Sequence, residues 1–424
     1  MEEWKECKLE EISKNITDGT HSTVIDDISG NYFLLSCKNV KNGIIQISNS
    51  ERKINKETFE KLRKRTKLEK DDILVTTVGT IGEMAIITDH NPHYEFQRSV
   101  GIIKPNKDIV DPKFLYYSLK NELPQIMNRT LGAVQQCLFL GDIKQLSIKL
   151  PPLPTQQKIA TILSSLDDKI ELNNKINTNH EQQARALFKN EFVDFEPFGT
   201  EERIESPIGT MIPRSLKMVQ VADIPHLLET GKRPKGGAVA EGVPSIGAEN
   251  VKQLGVFDFS SNKFIPREYA DSLGKGKING YELLLYKDGG KPGTFIPHFS
   301  MFGEGFPYDE CYINEHVFKL DFYDKGLNEF AYFYFNTEYV KNWLANNGGK
   351  AAIPGINQND VNAIWIYDLE NHKVKEFAKF VEPMFKQIFS NCKQNRELST
   401  IRDTLLPKLM NGEIETNSII INKR

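Results

Sequence analysis

The feature that most constrains this chain is an internal repeat that occupies nearly its whole length. The first copy contains KLEEISKNITDGT and then SCKNVKNG, and the second contains QVADIPHLLETGK and then GAENVKQLG. Further along, Asp142-Ile143 corresponds to Asp360-Val361, and the offset between partners drifts by only a few residues. Two diverged copies with loop insertions produce such a pattern. Since 424 residues are also about twice the usual domain size, we expect two domains of one fold.

Each copy has a globular part followed by a helical part. Short apolar runs between Gly, Asn, Asp and Pro, such as 73–78 and 283–286, predict strands in the globular parts. Continuous helical patterns run from Ile159 to about Phe192 and from Phe377 to Met410. The predicted fold class is therefore α/β, in the broad α+β sense. The predicted segments are globular domains at 1–150 and 198–367, helical regions at 151–197 and 368–412, and a C-terminal tail at 413–424.

The two helical patterns have the spacing of a coiled-coil seam. Both turn polar halfway, at NNKIN and NCKQN, where Asn173 and Asn391 occupy the same seam position. A buried Asn in a seam lowers stability but fixes the register and the partner of the helix. We therefore expect an antiparallel helix pair in which the two polar stretches meet. The alternative is that each segment is only an amphipathic helix lying on its own domain.

Composition excludes several classes of protein. No apolar run approaches the ~20 residues of a membrane-spanning helix, and the acidic N-terminus is unlike a secretion signal. The five cysteines never form a C-x-x-C pair, which fits a reducing cytoplasm. We therefore expect a cytoplasmic protein without a membrane partner. The sequence also lacks methyltransferase, nucleotide-hydrolysis, nuclease and metal-ligand motifs, so we expect no catalytic centre and no metal site.

Local charge and recurring polar loops indicate DNA binding. The net charge is only -3, yet residues 52–70 contain nine Lys or Arg residues and three acidic residues. This basic stripe is equally typical of a helix that is simply exposed to solvent. Both globular parts begin with a Gly-centred loop, TDGTHST or ETGKRPKGG, in which glycine would let the backbone approach a phosphate. The candidate DNA-binding residues are Thr20, His21, Lys38, Asn39, Lys64, Arg65, Thr77, Gln97, Arg98, Ser99 and Gln135 in the first copy, and Lys232, Arg233, Lys235, Asn250, Lys287, Lys291 and Lys350 in the second.

The side-chain chemistry divides the strongest of these candidates into two roles. Lys and Arg near the loops suit phosphates, whereas Arg, Asn and Gln can also make paired hydrogen bonds to guanine or adenine. We expect phosphate contacts from Lys64, Arg65, Lys232, Arg233 and Lys235. We expect Asn39, Gln97, Arg98, Gln135 and Asn250 at or near base edges.

Particular segments resemble a known family. The passage LPPLPTQQKIATILSSLDDKIELNNKINTNHEQQARALFKNEFVDFEPF closely resembles the central conserved region of the specificity subunits of type I restriction-modification systems. TLLPKLMNGEIE is similar to the end of their second conserved region, and ITDGTHST and the double repeat match the same plan. Residues 368–372 depart from the family pattern because they lack the usual Pro-x-x-x-Gln entry. Docking of a second methyltransferase is therefore expected to differ in detail.

The resemblance implies a non-catalytic subunit of a type I DNA methyltransferase and restriction endonuclease complex. Two target-recognition domains would each read one half of a split sequence in double-stranded DNA, held apart by the antiparallel helices. The helices would dock two adenine methyltransferase subunits, to which two endonuclease/translocase subunits are added. S-adenosylmethionine, ATP and Mg²⁺ would belong to those partners, and this chain would bind no cofactor.

Two other classes of protein stay open from the residues alone. One is a coiled-coil adaptor that joins two protein partners without DNA binding, and affinity for random duplex at low salt would count against it. The other is an enzyme of unfamiliar type, which the absence of a paired acid, nucleophile or metal motif disfavours.

Overall fold

The structure is a computed structural model that describes residues 4–122, 126–127, 137–349 and 353–414. Its internal contacts divide the chain into two units. The first unit is the described part of Met1–Asp168 and Leu398–Arg424, and the second unit is Lys169–Glu397. Each unit therefore contains one globular domain and portions of both long helices.

The first unit carries a mixed set of short strands and helices. Its strands are β1 (Lys5–Lys8), β2 (Ser13–Asp18), β3 (Tyr32–Leu35), β4 (Val40–Lys41), β5 (Ile44–Ile45), β6 (Lys53–Ile54), β7 (Ile73–Thr76), β8 (Met84–Ile86), β9 (Tyr94–Phe96), β10 (Val100–Pro105) and β11 (Ser147–Leu150). Its helices are α1 (Lys56–Thr66), α2 (Pro112–Asn121), α3 (Leu140–Lys144) and the start of α4 (Leu153–Phe192).

The second unit has a corresponding series of elements. Its strands are β12 (Arg203–Glu205), β13 (Met211–Pro213), β14 (Met218–Gln220), β15 (Leu227–Thr230), β16 (Val243–Ile246), β17 (Phe264–Ile265), β18 (Leu283–Tyr286), β19 (Phe299–Met301), β20 (Tyr312–Ile313), β21 (Val317–Asp321) and β22 (Trp365–Tyr367). Its helices are α5 (Arg267–Asp271), α6 (Lys325–Phe335), α7 (Glu338–Gly348), α8 (Gln358–Asn362) and most of α9 (His372–Met410).

Three sheets of the first unit recur in the second unit with the same strand order. The four-stranded sheet β2-β10-β7-β8 of the first unit corresponds to β15-β21-β18-β19 of the second. Likewise, β6-β3-β9 corresponds to β17-β16-β20, and β1-β11 corresponds to β14-β22. In each three-stranded sheet, one pair of strands is parallel and the other is antiparallel. This shared topology confirms the internal repeat and the mixed α/β fold class.

The central strands are apolar throughout because both of their faces are covered. Along β7, Ile73 and Val75 belong to one buried cluster, whereas Leu74 between them belongs to another. Successive side chains of a strand point to opposite faces, so an uninterrupted apolar run requires packing on both sides. Three of the four residues of β18, Leu283 to Leu285, are likewise fully buried. These sheets form the rigid base from which the polar loops emerge.

The two long helices end at the predicted residues and begin somewhat earlier than predicted. α4 begins at Leu153, whereas the apolar pattern predicted Ile159, because Pro154 is tolerated in a first turn that needs no N–H donor. α9 begins at His372, where Asn371 Oδ1 accepts a hydrogen bond from Lys373 N at 2.9 Å. Within the described ranges, none of the helices is long and apolar enough to cross a membrane.

Both long helices contribute to the core of each unit. In the first unit, Ile159 and Leu163 of α4 and Leu409 of α9 are buried in one cluster. In the second unit, Phe188 of α4 packs against Phe377 of α9, with ring centroids 5.7 Å apart. The helical segments are therefore integral parts of both cores rather than external linkers.

Candidate nucleic-acid interface

Candidate residues from three separate segments of the first unit meet beyond the ends of β2, β3 and β9. Thr20 forms an isolated β-bridge with Gln97, and Arg98 N donates to Thr20 O at 3.0 Å. Ser99 Oγ accepts a hydrogen bond from Cys37 N at 3.1 Å. These contacts join the glycine loop, the loop after β9 and the turn after β3 into one surface, which we call the first loop cluster (residues 18–21, 36–39 and 97–99).

Several side chains of the first loop cluster face the solvent. Arg98, His21 and Lys38 are exposed, and Gln97 is half-buried. Lys38 Nζ lies 2.9 Å from Glu51 Oε2, which orients the lysine without covering it. An arginine carries five N–H donors in a planar fork, so Arg98 has the chemistry for either a guanine edge or a phosphate.

One carboxylate in this cluster holds two of the predicted DNA-binding residues. Arg65 Nη2 donates to Asp18 Oδ1, and Arg65 Nη1 donates to Gly19 O at 3.0 Å. On the other side, His21 Nε2 lies 2.7 Å from Asp18 Oδ2. Asp18 is buried, and both of its oxygens are occupied, as a desolvated carboxylate requires. Asp18 therefore links the glycine loop to α1.

The basic stripe of the sequence forms helix α1. Lys64 lies exposed in its last turn beside Arg65, where positive charge also stabilises the helix end. The helix ends at Thr66, whose hydroxyl donates to Glu95 Oε2 at 2.5 Å. Glu95 is fully buried on β9, and this burial raises the pKa of its carboxyl to about 7. The end of α1 is thus fixed to the strand that leads into the loop of Arg98.

Two predicted base-reading asparagines are buried and hydrogen-bonded within the fold. Asn39 is 1% exposed, and its Oδ1 accepts from Ser36 N at 2.9 Å. Asn250 is 4% exposed, and its Oδ1 accepts from Gly247 N at 3.0 Å. Each amide closes a 3-10 turn at equivalent places in the repeat, and its assignment to a base edge stays a prediction.

Thr77 and Ser99 also direct their hydroxyl groups towards the protein. Thr77 is 5% exposed and donates to Arg98 O at 3.3 Å. Ser99 is half-buried, with its hydroxyl accepting the hydrogen bond from Cys37 N described above. The Thr77 hydroxyl therefore contacts the loop that carries Arg98, and its direct contact with DNA stays a prediction.

The glycines of the two polar loops are required by the fold itself. A Cβ at Gly19 would overlap the carbonyl oxygens of Phe96 and Gln97, and one at Gly231 would overlap that of Ile313. Only glycine allows two backbone segments to approach so closely. This close packing accounts for both glycines within the fold, and the approach of a phosphate to these loops stays a prediction.

In the second unit, Arg233 lies in a network of alternating charge beside the glycine loop. Arg233 Nε donates to Glu315 Oε1 at 2.8 Å, and His316 Nε2 lies 3.2 Å from the same oxygen. His316 Nδ1 also contacts Asp288. Lys287 Nζ donates to Glu315 O at 2.9 Å and lies 3.2 Å from Asp288 Oδ2. Two acids thus balance Arg233 and Lys287, with the imidazole between them.

The other predicted lysines of the second unit lie on exposed loops. Lys232 and Lys235 flank Arg233 in the glycine loop, and Lys291 lies in the loop after β18. All three are exposed, as phosphate contacts require. Gln135 and Lys350 lie outside the residues that the structure describes, so their assignments stay predictions.

The polar stretches of the long helices meet in the second unit. Asn173 Nδ2 donates to Asn395 Oδ1 at 2.8 Å and to Gln394 Oε1 at 2.7 Å. Asn391 Nδ2 donates to Asn177 Oδ1 at 2.8 Å. Asn173 with Asn395 and Asn391 with Asn177 are the same pair of repeat positions, so the hydrogen bonds follow a local twofold symmetry. The helices are antiparallel here, and Asn173 and Asn391 are both buried.

The sequence did not point to Asp18, Glu315 or His316 as a group. The repeat aligns Asp18 with Thr230, and it aligns Glu315 and His316 with Arg98 and Ser99, so recurrence at equivalent positions could not mark them. The signal that could have found Asp18 is its place directly before Gly19, where the backbone of Phe96 and Gln97 leaves no room for a Cβ. In the described part of the chain, His, Cys, Asp and Glu side chains form no group of three or more arranged to hold a metal.

Known proteins resemble this chain in sequence and in fold. Residues 1–182 match the family model described as the type I restriction modification DNA specificity domain. The chain is 28% identical to the type I restriction enzyme MjaIX specificity subunit of Methanocaldococcus jannaschii, over 98% of this chain and 95% of that protein. It is 27% identical to the type I restriction enzyme HindI specificity subunit of Haemophilus influenzae, over 98% of this chain and 100% of that protein.

A solved structure supports the same fold. The crystal structure of the type I restriction-modification S subunit from M. genitalium matches with a TM-score of 0.56 and covers 96% of each chain. Its sequence is only 15% identical, so this likeness concerns the fold alone.

Proposed function

This chain belongs to the specificity subunits of type I restriction-modification systems, non-catalytic subunits that recognise DNA sequence, and on that basis we propose that it reads a target in two separated halves. Each half would be bound by one globular domain, which we call the first (1–150) and second (198–367) recognition domain. The observation that carries this proposal is the repetition of one sheet topology with loops of different chemistry. Arg98 of the first domain corresponds to Glu315 of the second. One scaffold with different loop side chains is suited to two different half-sites.

The solvent-facing polar side chains of the two domains have two proposed roles, phosphate contact and base recognition. Lys64 in the first domain and Lys232 and Lys235 in the second are exposed lysines, which bind phosphates as point charges and carry no sequence information. Arg98 and Gln97 lie side by side in the first loop cluster and have the hydrogen-bonding groups that distinguish bases. Replacing a lysine should weaken binding to all sequences, whereas replacing Arg98 should relax one position of the target.

The two long helices are proposed to dock two adenine methyltransferase subunits, with two endonuclease/translocase subunits added to the complex. Membership of the family supports partners of these kinds. The helices also carry large apolar side chains in solvent, since Phe380 of α9 is 55% exposed and Leu172 of α4 is 50% exposed. We take these two residues as candidates for contact with a partner subunit. S-adenosylmethionine, ATP and Mg²⁺ are assigned to the partners in this proposal.

The direct test is to map adenine methylation across the source genome by single-molecule sequencing, with the gene present, deleted and restored. The expected result is the loss of one split motif, methylated on both strands with a fixed gap, and its return when the gene is restored. That outcome would give both half-sites at once. If the deletion leaves the methylome unchanged while the methyltransferase partners are expressed, the proposal fails.

A second measurement separates DNA binding from assembly. The purified chain is mixed with a labelled duplex of random sequence at low salt, where phosphate contacts dominate affinity. Binding that falls steeply as salt rises supports a DNA-recognition subunit. Absence of binding would instead favour a protein adaptor whose helices join two partners.

A further inference from the structure

Both recognition domains place an arginine and a histidine around one carboxylate beside the glycine loop. The first group consists of Arg65, His21 and Asp18, and the second consists of Arg233, His316 and Glu315. The repeat does not explain this likeness, because Asp18 aligns with Thr230 and Glu315 aligns with Arg98. The same combination of side chains is therefore built twice from different positions in the sequence.

The geometry of the first group leaves the side chains of Arg65 and His21 about half exposed. Asp18 is buried at 8% exposure, whereas the side chains of Arg65 and His21 are 48% and 56% exposed. Two N–H groups of Arg65 are directed inwards, to Asp18 and Gly19, out of the five that a guanidinium carries. The carboxylate thus lies beneath a guanidinium and an imidazole that are both about half exposed.

The second group combines the same kinds of side chain with one more acid, around a carboxylate that is partly exposed. Glu315 Oε1 accepts from Arg233 Nε at 2.8 Å and lies 3.2 Å from His316 Nε2. Asp288 contacts the other nitrogen of the imidazole, so the ring is fixed from both sides. The side chains of Arg233 and His316 are 50% and 38% exposed, whereas that of Glu315 is 32% exposed.

We propose that Asp18 and Glu315 are positioning residues of the two DNA-recognition surfaces. Each holds an arginine in a fixed orientation, so that the outward N–H groups of its guanidinium meet a phosphate of the DNA backbone without losing side-chain entropy on binding. The inference rests on the proposed function, because it assumes that these loops bind DNA. A carboxylate near a phosphate repels it, so this role requires the ordering of the donors to outweigh the repulsion.

Repulsion and positioning predict changes of opposite sign in DNA affinity when the carboxylate is removed, so a binding measurement distinguishes them. The full-length chain is titrated with a fluorescein-labelled 45-base-pair duplex of mixed sequence, a length of about four helical turns, over a series of salt concentrations. If Asp18 were only an acid near the DNA, Asp18→Asn would remove repulsion and strengthen binding. As a positioning residue, the same substitution is expected to weaken binding by about five- to tenfold and to reduce the salt slope by ~1.

Glu60 provides a matched control on the same helix as Arg65. Its carboxylate is paired with Lys56 at 3.7 Å and is 59% exposed, so it holds no group towards the loops. Glu60→Gln removes the same charge as Asp18→Asn and is expected to leave affinity unchanged or slightly higher. Circular dichroism and thermal unfolding of each variant show that the folded state is kept.

A double-mutant cycle shows whether Asp18 acts through Arg65. Arg65→Gln removes the guanidinium, and adding Asp18→Asn to that variant should then change affinity by less than about twofold. In the second domain, Glu315→Gln is expected to weaken binding as Asp18→Asn does, with Glu310→Gln as its control because Glu310 pairs with Arg267 at 2.8 Å.

The outcomes separate this inference from the proposed function. If the wild-type chain fails to bind the duplex at low salt, the proposed function fails. If the wild type binds and folded Asp18→Asn and Glu315→Gln variants bind equally well or better, the proposed function stands and the positioning role is overturned. If Asp18→Asn weakens binding as strongly without Arg65 as with it, the action through Arg65 is refuted.

Discussion

Replacement of Glu329 by glutamine should stabilise the second unit, and the gain should grow with pH. Glu329 lies on α6 and is fully buried, and neither of its carboxyl oxygens has a hydrogen-bond partner among the described residues. Burial raises the pKa of this carboxyl from 4.5 to about 9, and Glu382 and Asp324 add to the effect while Lys325 opposes it. The side chain is therefore protonated in the folded protein at pH 7 and ionised in the unfolded chain.

The magnitude follows from linkage between protonation and folding. A group whose pKa is raised in the folded state contributes its full stability below pH 4.5 and loses it as the pH rises towards 9. At pH 7 the carboxyl keeps its proton in the folded state, although pH 7 lies about 2.5 units above its pKa of 4.5 in the unfolded chain. Keeping this proton costs on the order of 3 kcal/mol of folding free energy. Glutamine keeps the shape of the neutral acid and carries no such cost.

The tryptophans allow the second unit to be observed separately. The chain has three, of which Trp343 and Trp365 lie in the second unit and Trp4 in the first. In a Trp4→Phe background, urea unfolding followed by fluorescence therefore reports the second unit alone. Glu329→Gln should raise the free energy of unfolding by less than about 1 kcal/mol at pH 5 and by about 3 kcal/mol at pH 7.

Glu338→Gln provides the control, because Glu338 is an exposed carboxylate in the first turn of the adjacent helix α7. It should show no gain that increases with pH. An advantage of Glu329→Gln that is constant between pH 5 and pH 8.5, or a loss of stability at pH 7, would refute the reasoning. Either result would mean that the carboxyl finds a partner or solvent in the folded protein.

Three further predictions concern recognition and assembly. Changing both Asn173 and Asn391 to Leu should alter the gap between the two methylated half-sites or reduce assembly, because buried amides select one helix register; sequencing of the methylome would contradict this if motif and yield were unchanged. Arg98→Ala should relax one base position by ~1 to 3 kcal/mol, measured with duplexes substituted at each target position, and equal discrimination by both proteins would remove Arg98 from the reading surface. Phe380→Ser should weaken co-purification with the methyltransferase subunit by at least about tenfold, whereas Lys379→Ser beside it should not; equal recovery of both variants would exclude Phe380 from the docking surface.

Elements defined by long or repeated patterns were predictable from the sequence. Matching segments follow one another in the same order in both copies of the repeat, which indicated two domains of one fold. The corresponding sheets β2-β10-β7-β8 and β15-β21-β18-β19 confirm this prediction. The ends of α4 and α9 followed from apolar periodicity. Their starts were placed too late because polar or proline-containing first turns, such as that at Leu153, are stabilised by local backbone geometry rather than by an apolar face.

Individual side chains of the candidate interface were less predictable, for a physical reason. Asn39 and Asn250 recur in the repeat, yet their use in equivalent 3-10 turns is enough to explain the recurrence. Conversely, Asp18 and Glu315 have similar surroundings without corresponding positions. A repeat preserves what the scaffold needs, whereas surfaces that read different sequences diverge.

The first unit combines two segments that lie far apart in the sequence, and its core can be completed only after the second of them has been translated. Leu409 and Met410 are buried in the same cluster as Ile159 and Leu163, so a nascent chain keeps that core incomplete while the entire second unit is being translated. Of the two units, the one whose globular part is translated earlier is therefore completed later. A premature stop codon at Leu398, which spares every residue of the second unit, would damage the recognition domain at the opposite end of the sequence.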